Sequence, residues 1–174
     1  YDPRSPYSAT KSASDHLVKA WNKTYGIPIL ITNCSNNFGP GQFPEKLIPV
    51  IINNAINHKK IPIYGDGKNV RDWIFVEDHI DALLRVVLRG RAGESYCIGA
   101  GLQRSNDEIV DLICDLLDNE NTSNAPHNRL KSYIKDRPGH DRRYAINYKK
   151  ISDDLEWEPK YNFEEALGLT VKWY

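Results

Sequence analysis

The sequence predicts an α/β chain organised on a parallel sheet, and three observations carry that reading. Helical patterns alternate with short strand-like runs along most of the chain. The run Ile27-Pro28-Ile29-Leu30-Ile31-Thr32 is apolar without polar alternation, as expected of a strand covered on both faces by helices. A polar, asparagine-rich stretch, Asn33 to Pro40, follows that run, at the strand end where open α/β sheets bind ligands.

The elements follow in order. Ser5 can cap a helix reaching Tyr25, with Ala9, Ala13, Leu17 and Ala20 among its small or apolar positions and Gly26 as the stop. The strand Ile27 to Thr32 and the loop Asn33 to Pro40 come next. A helix is expected over Glu45 to His58, then a strand Ile61 to Tyr64, the turn Gly65-Asp66-Gly67 and a strand Arg71 to Val76. Glu77 to Arg89 reads as helix and Ser95 to Ile98 as strand. Ser105 caps a further helix carrying Ile109, Val110, Ile113, Leu116 and Leu117. Asn119 to Asn128 reads as a polar loop. Two last helices are expected near Lys149 to Leu155 and Phe163 to Trp173.

Composition narrows the function classes. Lysine plus arginine and aspartate plus glutamate number 23 each, so no net basic field gathers nucleic acid or an anionic membrane. Local arginines can still hold a small polyanion. Cys34, Cys97 and Cys114 are scattered, which argues against a disulfide framework or a zinc site and predicts buried thiols in a reducing, cytoplasmic setting. No His/Asp cluster has metal-ligand spacing, and no apolar run is long enough to cross a bilayer.

The pair Tyr7 and Lys11 places a phenol and an ammonium one helical turn apart, where the cation favours the phenolate and the tyrosine can serve as a general base. Spacing alone is weak, since about one such match is expected by chance. Tyr64 and Lys68 also match, but across a glycine turn that need not share a face. The opening helix has no strand before it, and no G-x-G-x-x-G phosphate turn occurs in the sequence. The reading therefore expects an absent upstream half.

Further segments agree with the tyrosine and lysine. Tyr7-x-x-x-Lys11, Asn33-Cys34-Ser35-Asn36-Asn37-Phe38-Gly39-Pro40, Phe43-Pro44-Glu45-Lys46-Leu47-Ile48-Pro49, Arg71-Asp72-Trp73 and Asp136-Arg137-Pro138-Gly139-His140-Asp141-Arg142-Arg143-Tyr144 occur in order from end to end. Together they resemble the dTDP-glucose 4,6-dehydratase family of extended short-chain dehydrogenases. The resemblance implies that residues 1–40 are the last helix and strand of a Rossmann-type NAD-binding domain. Residues 41–174 would form the sugar-nucleotide region, with about 71–100 returning to the Rossmann sheet.

What the resemblance implies for the chemistry is an NAD-dependent oxidation at C4 of the sugar, loss of water across C5 and C6, and return of hydride to C6. Tyr7 would take the C4 hydroxyl proton and Lys11 would bind the nicotinamide ribose, with Asn37 also toward the cofactor. Asn36 would contact the hexose or its phosphate, and Lys46 with Leu47 the diphosphate region. Pro62, Ile63 and Tyr64 would line the nucleobase pocket with Asn106 nearby, while Arg71, Asp136, Arg137, Pro138, Gly139 and His140 would bind the diphosphate and nucleoside. The family's eliminating aspartate and glutamate lie upstream of its tyrosine, so turnover is not expected from this chain alone. A homodimer through the tyrosine helix is also implied.

Plainer readings compete. Arg71 fits a salt bridge with Asp72 or Asp78, and Arg142 and Arg143 fit structural ion pairs. Trp21, Trp73, Trp157 and Trp173 fit core or edge aromatics. The alternatives in function are another sugar-nucleotide enzyme (a UDP-glucuronate decarboxylase, an epimerase or a CDP-glucose dehydratase) and a non-catalytic nucleotide-sugar binding module in which Tyr7 merely packs.

Overall fold

A computed structural model describes residue 3 and residues 5–120 and 122–174. The first helix, α1 (Pro6–Tyr25), starts where Ser5 Oγ accepts the Ser8 N–H at 3.1 Å and stops where Gly26 turns left-handed, φ +66°, and donates its N–H to Asn22 O. No residue of α1 is buried. Strands β1 (Ile31–Cys34) and β2 (Asn36–Phe38) follow, then α2 (Leu47–Ile56), β3 (Ile61–Tyr64), β4 (Val70–Phe75), α3 (Val76–Arg89), β5 (Ser95–Ile98) and β6 (Gln103–Ser105). The chain closes with α4 (Asn106–Glu120), two 3₁₀ turns (Thr122–Asn124 and His127–Leu130), β7 (Lys131–Ile134), β8 (Arg143–Tyr144), α5 (Lys149–Leu155) and α6 (Phe163–Trp173).

The expected α/β class holds, with parallel pairing prominent. β1 runs parallel to β5 with Ile31 opposite Ser95, and β3 runs parallel to β7 with Ile61 opposite Lys131. β4 is the hub: parallel to β2 and β8, antiparallel to β6. Its side chains alternate between two cores. Trp73 and Phe75 join α2, α4 and α6 around Ile51, Ile52, Ile109, Ile113 and Leu167, whereas Ile74 joins Val86, Ile98, Ile151 and Trp157. Each isoleucine buried in this way stabilises the fold by roughly 1.5–3 kcal/mol.

Some boundaries move. The strand expected at Ile27 begins at Ile31, because the ladder to β5 starts there; upstream, Ile29 O accepts from Gly93 N–H and Ile27 O from the Asn22 side chain, and Ile27 is exposed. The stretch Asn33 to Pro40 contains β2 rather than loop alone, since Asn36 to Phe38 pair with Trp73 to Phe75. The helix expected from Glu45 is confined to Leu47–Ile56, and α4 runs on to Glu120 before its 3₁₀ turns. Only Cys114 of the three thiols is buried; Cys34 and Cys97 are half-buried. Trp73 and Trp157 are core residues, while Trp21 and Trp173 are exposed.

Candidate sugar-nucleotide site

A cavity of about 690 Å³ opens where the first turn of α1, the junction of β1 and β2, the approach to α2 and the segment 137–141 meet. That volume suits a small-molecule ligand. Tyr7 brings its phenol from α1 while remaining 72% exposed. Asn36 and Asn37 come from β2, Lys46 from the residue before α2, and Arg71 from β4. The exposed turn Arg137-Pro138-Gly139 and the half-buried His140 complete the opposite wall.

Not every expected residue lines this space. Lys11 lies one turn beyond Tyr7 on α1 and is exposed outside the lining set. Leu47 packs against the larger core, and Ile63 sits inside it, 1% exposed. Pro62 is half-buried on β3. Tyr64 borders the cavity through Arg137, whose guanidinium lies 5.0 Å from its ring centroid. Asn106 is buried and donates its backbone N–H to Asn69 O. Asp136 stands behind the wall, its Oδ1 accepting from the Arg137 N–H and facing His140 Nδ1 at 2.6 Å.

The wall is cationic and tightly tied. Arg71 donates to Val70 O at 2.7 Å, to Asp141 O at 2.8 Å and to His140 Nε2 at 2.8 Å. These partners are carbonyls and an imidazole, not the carboxylates of Asp72 or Asp78. Those carboxylates accept backbone N–H groups instead, Asp72 from Ala100 and Gly101, Asp78 from Lys160 and Tyr161. Burial pulls the Arg71 guanidinium below its ordinary value, a shift opposed by Asp141 and reinforced by Arg137. Arg142 does form an ion pair, with Asp66, while Arg143 donates to Gln103 Oε1.

Other lining residues had no expected site role: Ser5, Ser8, Cys34, Ser35, Gln42, Asp141 and Tyr144. Tyr144 donates weakly to Cys34 O at 3.4 Å, and burial pushes its phenol up. It closes the segment Asp136 to Tyr144 that helped carry the resemblance, so that segment held the signal. Gln42 donates to Asn37 O and Asn37 to Ser35 O, while Gln42 Oε1 and Asn37 Oδ1 are buried without partners and the Ser35 side chain bonds Asp72. Among the described residues no group of His, Cys, Asp and Glu could hold a metal ion, and no helix is long and apolar enough to cross a membrane.

The cavity thus combines two asparagines, the exposed phenols of Tyr7 and Tyr144 and converging guanidiniums. The profile of the GDP-mannose 4,6 dehydratase family matches residues 1–170. The chain belongs to that family. Within the GDP-mannose 4,6 dehydratase family it is similar to a dTDP-glucose 4,6-dehydratase of Xanthomonas campestris pv. campestris, 54% identical over all of this chain and 50% of the relative. The chain thus spans about half the length of the curated relatives it matches. A crystal structure of dTDP-glucose 4,6-dehydratase from Bacillus anthracis in complex with NAD superposes with a TM-score of 0.90 at 47% identity, covering 99% of this chain and 53% of that one. A Streptomyces venezuelae dTDP-glucose 4,6-dehydratase, also with NAD bound, gives 0.93 at 40% identity, covering 99% and 52%. The resemblance read from the motifs is borne out.

Proposed function

We propose that this chain carries the sugar-nucleotide wall of an NAD-dependent dTDP-glucose 4,6-dehydratase, with Tyr7 as its catalytic phenol. One observation carries the reading: Arg71 and Arg137, from segments far apart in sequence, converge on one point of a cavity that Tyr7 also faces. A planar guanidinium presents a fork of donors to phosphate oxygens, and two such forks clamp a diphosphate. Lys46 adds a third cation from the same cavity. Asn36 would then contact the hexose or its phosphate, and Tyr64 the nucleobase.

The residues also fit the dinucleotide. Asn37 Oδ1 is a buried polar atom without a partner beside the cavity, suited to a ligand rich in hydrogen-bond donors. Tyr7, Lys11 and Asn37 would hold NAD, which when bound supplies a reversible hydride acceptor. Tyr7 would take the proton from the C4 hydroxyl, with Lys11 one helical turn away toward the nicotinamide ribose. The elimination of water across C5 and C6 is assigned to carboxylates outside this cavity. Calorimetric titration of the chain with dTDP and with UDP tests the reading: preference for dTDP supports it, preference for UDP favours an epimerase or decarboxylase, and no binding by a folded chain sinks it.

The same reading assigns the apolar face of α1, where Leu17, Trp21 and Tyr25 are exposed, to a homodimer contact in the assembled enzyme.

A further inference from the structure

The following rests on the reading of the cavity as a nucleoside-diphosphate site. We propose that Asp136 and His140 form a positioning dyad: Asp136 fixes the proton of His140 on Nδ1, so that Nε2 gathers Arg71 and Arg137 into a single anion clamp. His140 Nε2 lies 2.8 Å from Arg71 Nη2 and 3.0 Å from Arg137 Nη2. Guanidinium nitrogens only donate, so Nε2 must present its lone pair to both. The ring proton then sits on Nδ1, 2.6 Å from Asp136 Oδ1, which as a carboxylate oxygen accepts. Asn69 Nδ2 also approaches Nδ1, at 3.3 Å, but has the Asp141 carbonyl oxygen as its acceptor at 3.2 Å.

The arrangement gathers like charges that would otherwise separate. Arg71 comes from β4 and Arg137 from the loop after β7, and their mutual repulsion contributes to the lowered basicity of Arg71. The His140 side chain is 10% exposed, with Tyr64 edge-on at 6.4 Å between ring centroids. The groups facing it are therefore Asp136, Arg71, Arg137, Asn69, Tyr64 and the backbone of Asp141. One lone pair shared by two donors satisfies neither fully. Each guanidinium keeps N–H groups that can turn to an entering anion while the ring holds the forks a fixed distance apart. His140 acts through the arginines and is a positioning residue.

The discriminating pair of variants is His140→Phe, which keeps a planar ring without the acceptor, and His140→Gln, which restores an acceptor oxygen without the ring. Calorimetry with dTDP is expected to show His140→Phe weaker by about tenfold or more and His140→Gln within about threefold of wild type. Thymidine, which lacks the diphosphate, is expected to bind all three alike. Two-bond ¹H–¹⁵N correlation spectra of the wild-type chain read the tautomer without any ligand or variant. They are expected to show His140 protonated on Nδ1. An Nε2–H tautomer overturns the dyad, as does unchanged dTDP affinity in His140→Phe or equal weakness in both variants, which would mark a packing role. Should the wild-type chain bind neither dTDP nor UDP while the spectra show the Nδ1–H form, the cavity reading itself has failed and the clamp with it.

Discussion

The guanidinium of Arg142 grips both carboxylate oxygens of Asp66, at 2.7 and 3.1 Å, and thereby ties the loop after β7 to the turn between β3 and β4. Arg142, followed by the N–H of Lys68, holds the Asp66 carboxyl down at about 2. Its folded value thus lies below the unfolded value of about 3.9. The contribution to stability is full above that unfolded value and is lost as pH falls toward 2. Asp66→Asn should lower the urea midpoint modestly at pH 7, and the gap from wild type should shrink between pH 4 and pH 2. A gap that stays constant over that range rules out the carboxylate as its cause.

Ile113 is wholly buried on α4 within the larger core. Truncation removes its transfer free energy and leaves a cavity, so Ile113→Ala should cost about 2–5 kcal/mol in denaturant unfolding. A loss under about 1 kcal/mol would show that the neighbouring helices collapse onto the site.

Gly99 follows β5 in close contact with the segment after β8. A Cβ there would stand 2.1 Å from Ile146 Cγ2 and 3.2 Å from Asp72 Oδ2. Asp72 is buried and tied to the backbone of Ala100 and Gly101, so it does not yield easily. Gly99→Ala should destabilise by about 1–3 kcal/mol through overpacking, measured against Gly168→Ala, where a Cβ meets open space.

Burial pushes the Cys114 thiol up to about 12, with Asp118 and Asp111 adding to the effect. Thiolate is the reactive form, so Cys114 should stay unalkylated by iodoacetamide at pH 8 in the folded chain and react once urea unfolds it. Peptide mapping by mass spectrometry checks this. Rapid labelling of Cys114 without denaturant would mean that α4 opens readily.

Besides the α1 positions, Ile80, Leu84, Val87 and Leu88 are exposed on α3. Apolar surface of this extent favours association. Light scattering on the isolated chain should show a mass above the monomer that falls when Leu17 and Trp21 are changed to polar residues; a strictly monomeric chain refutes the expectation.

The sequence was most legible where one element decides its own boundaries. Ser5 and Gly26 bound α1, and the apolar positions of β3, β5, α5 and α6 place those elements where the structure has them. The strands that escaped notice are β2, β6, β7 and β8, short and polar. Gln103–Ser105 and Arg143–Tyr144 are strands only because β4 offers them a ladder, and such pairing is tertiary context that no local pattern encodes. The site divides similarly. Tyr7, Arg71 and the segment at 136–140 were visible as motifs, whereas Gln42 enters the wall through a bond to the Asn37 backbone, which depends on how the loop folds.

The register of β3 against β7, Ile61 opposite Lys131, bears on how the molecule assembles. A parallel pair joined across most of the intervening chain gains nothing until that long loop has closed, so this edge should be among the last to dock during refolding. The arginine-bearing loop hangs directly from β7. A single proteolytic cut between Lys135 and Arg137 would therefore fall outside the residues of both cores and place the two guanidiniums of the clamp on separate pieces.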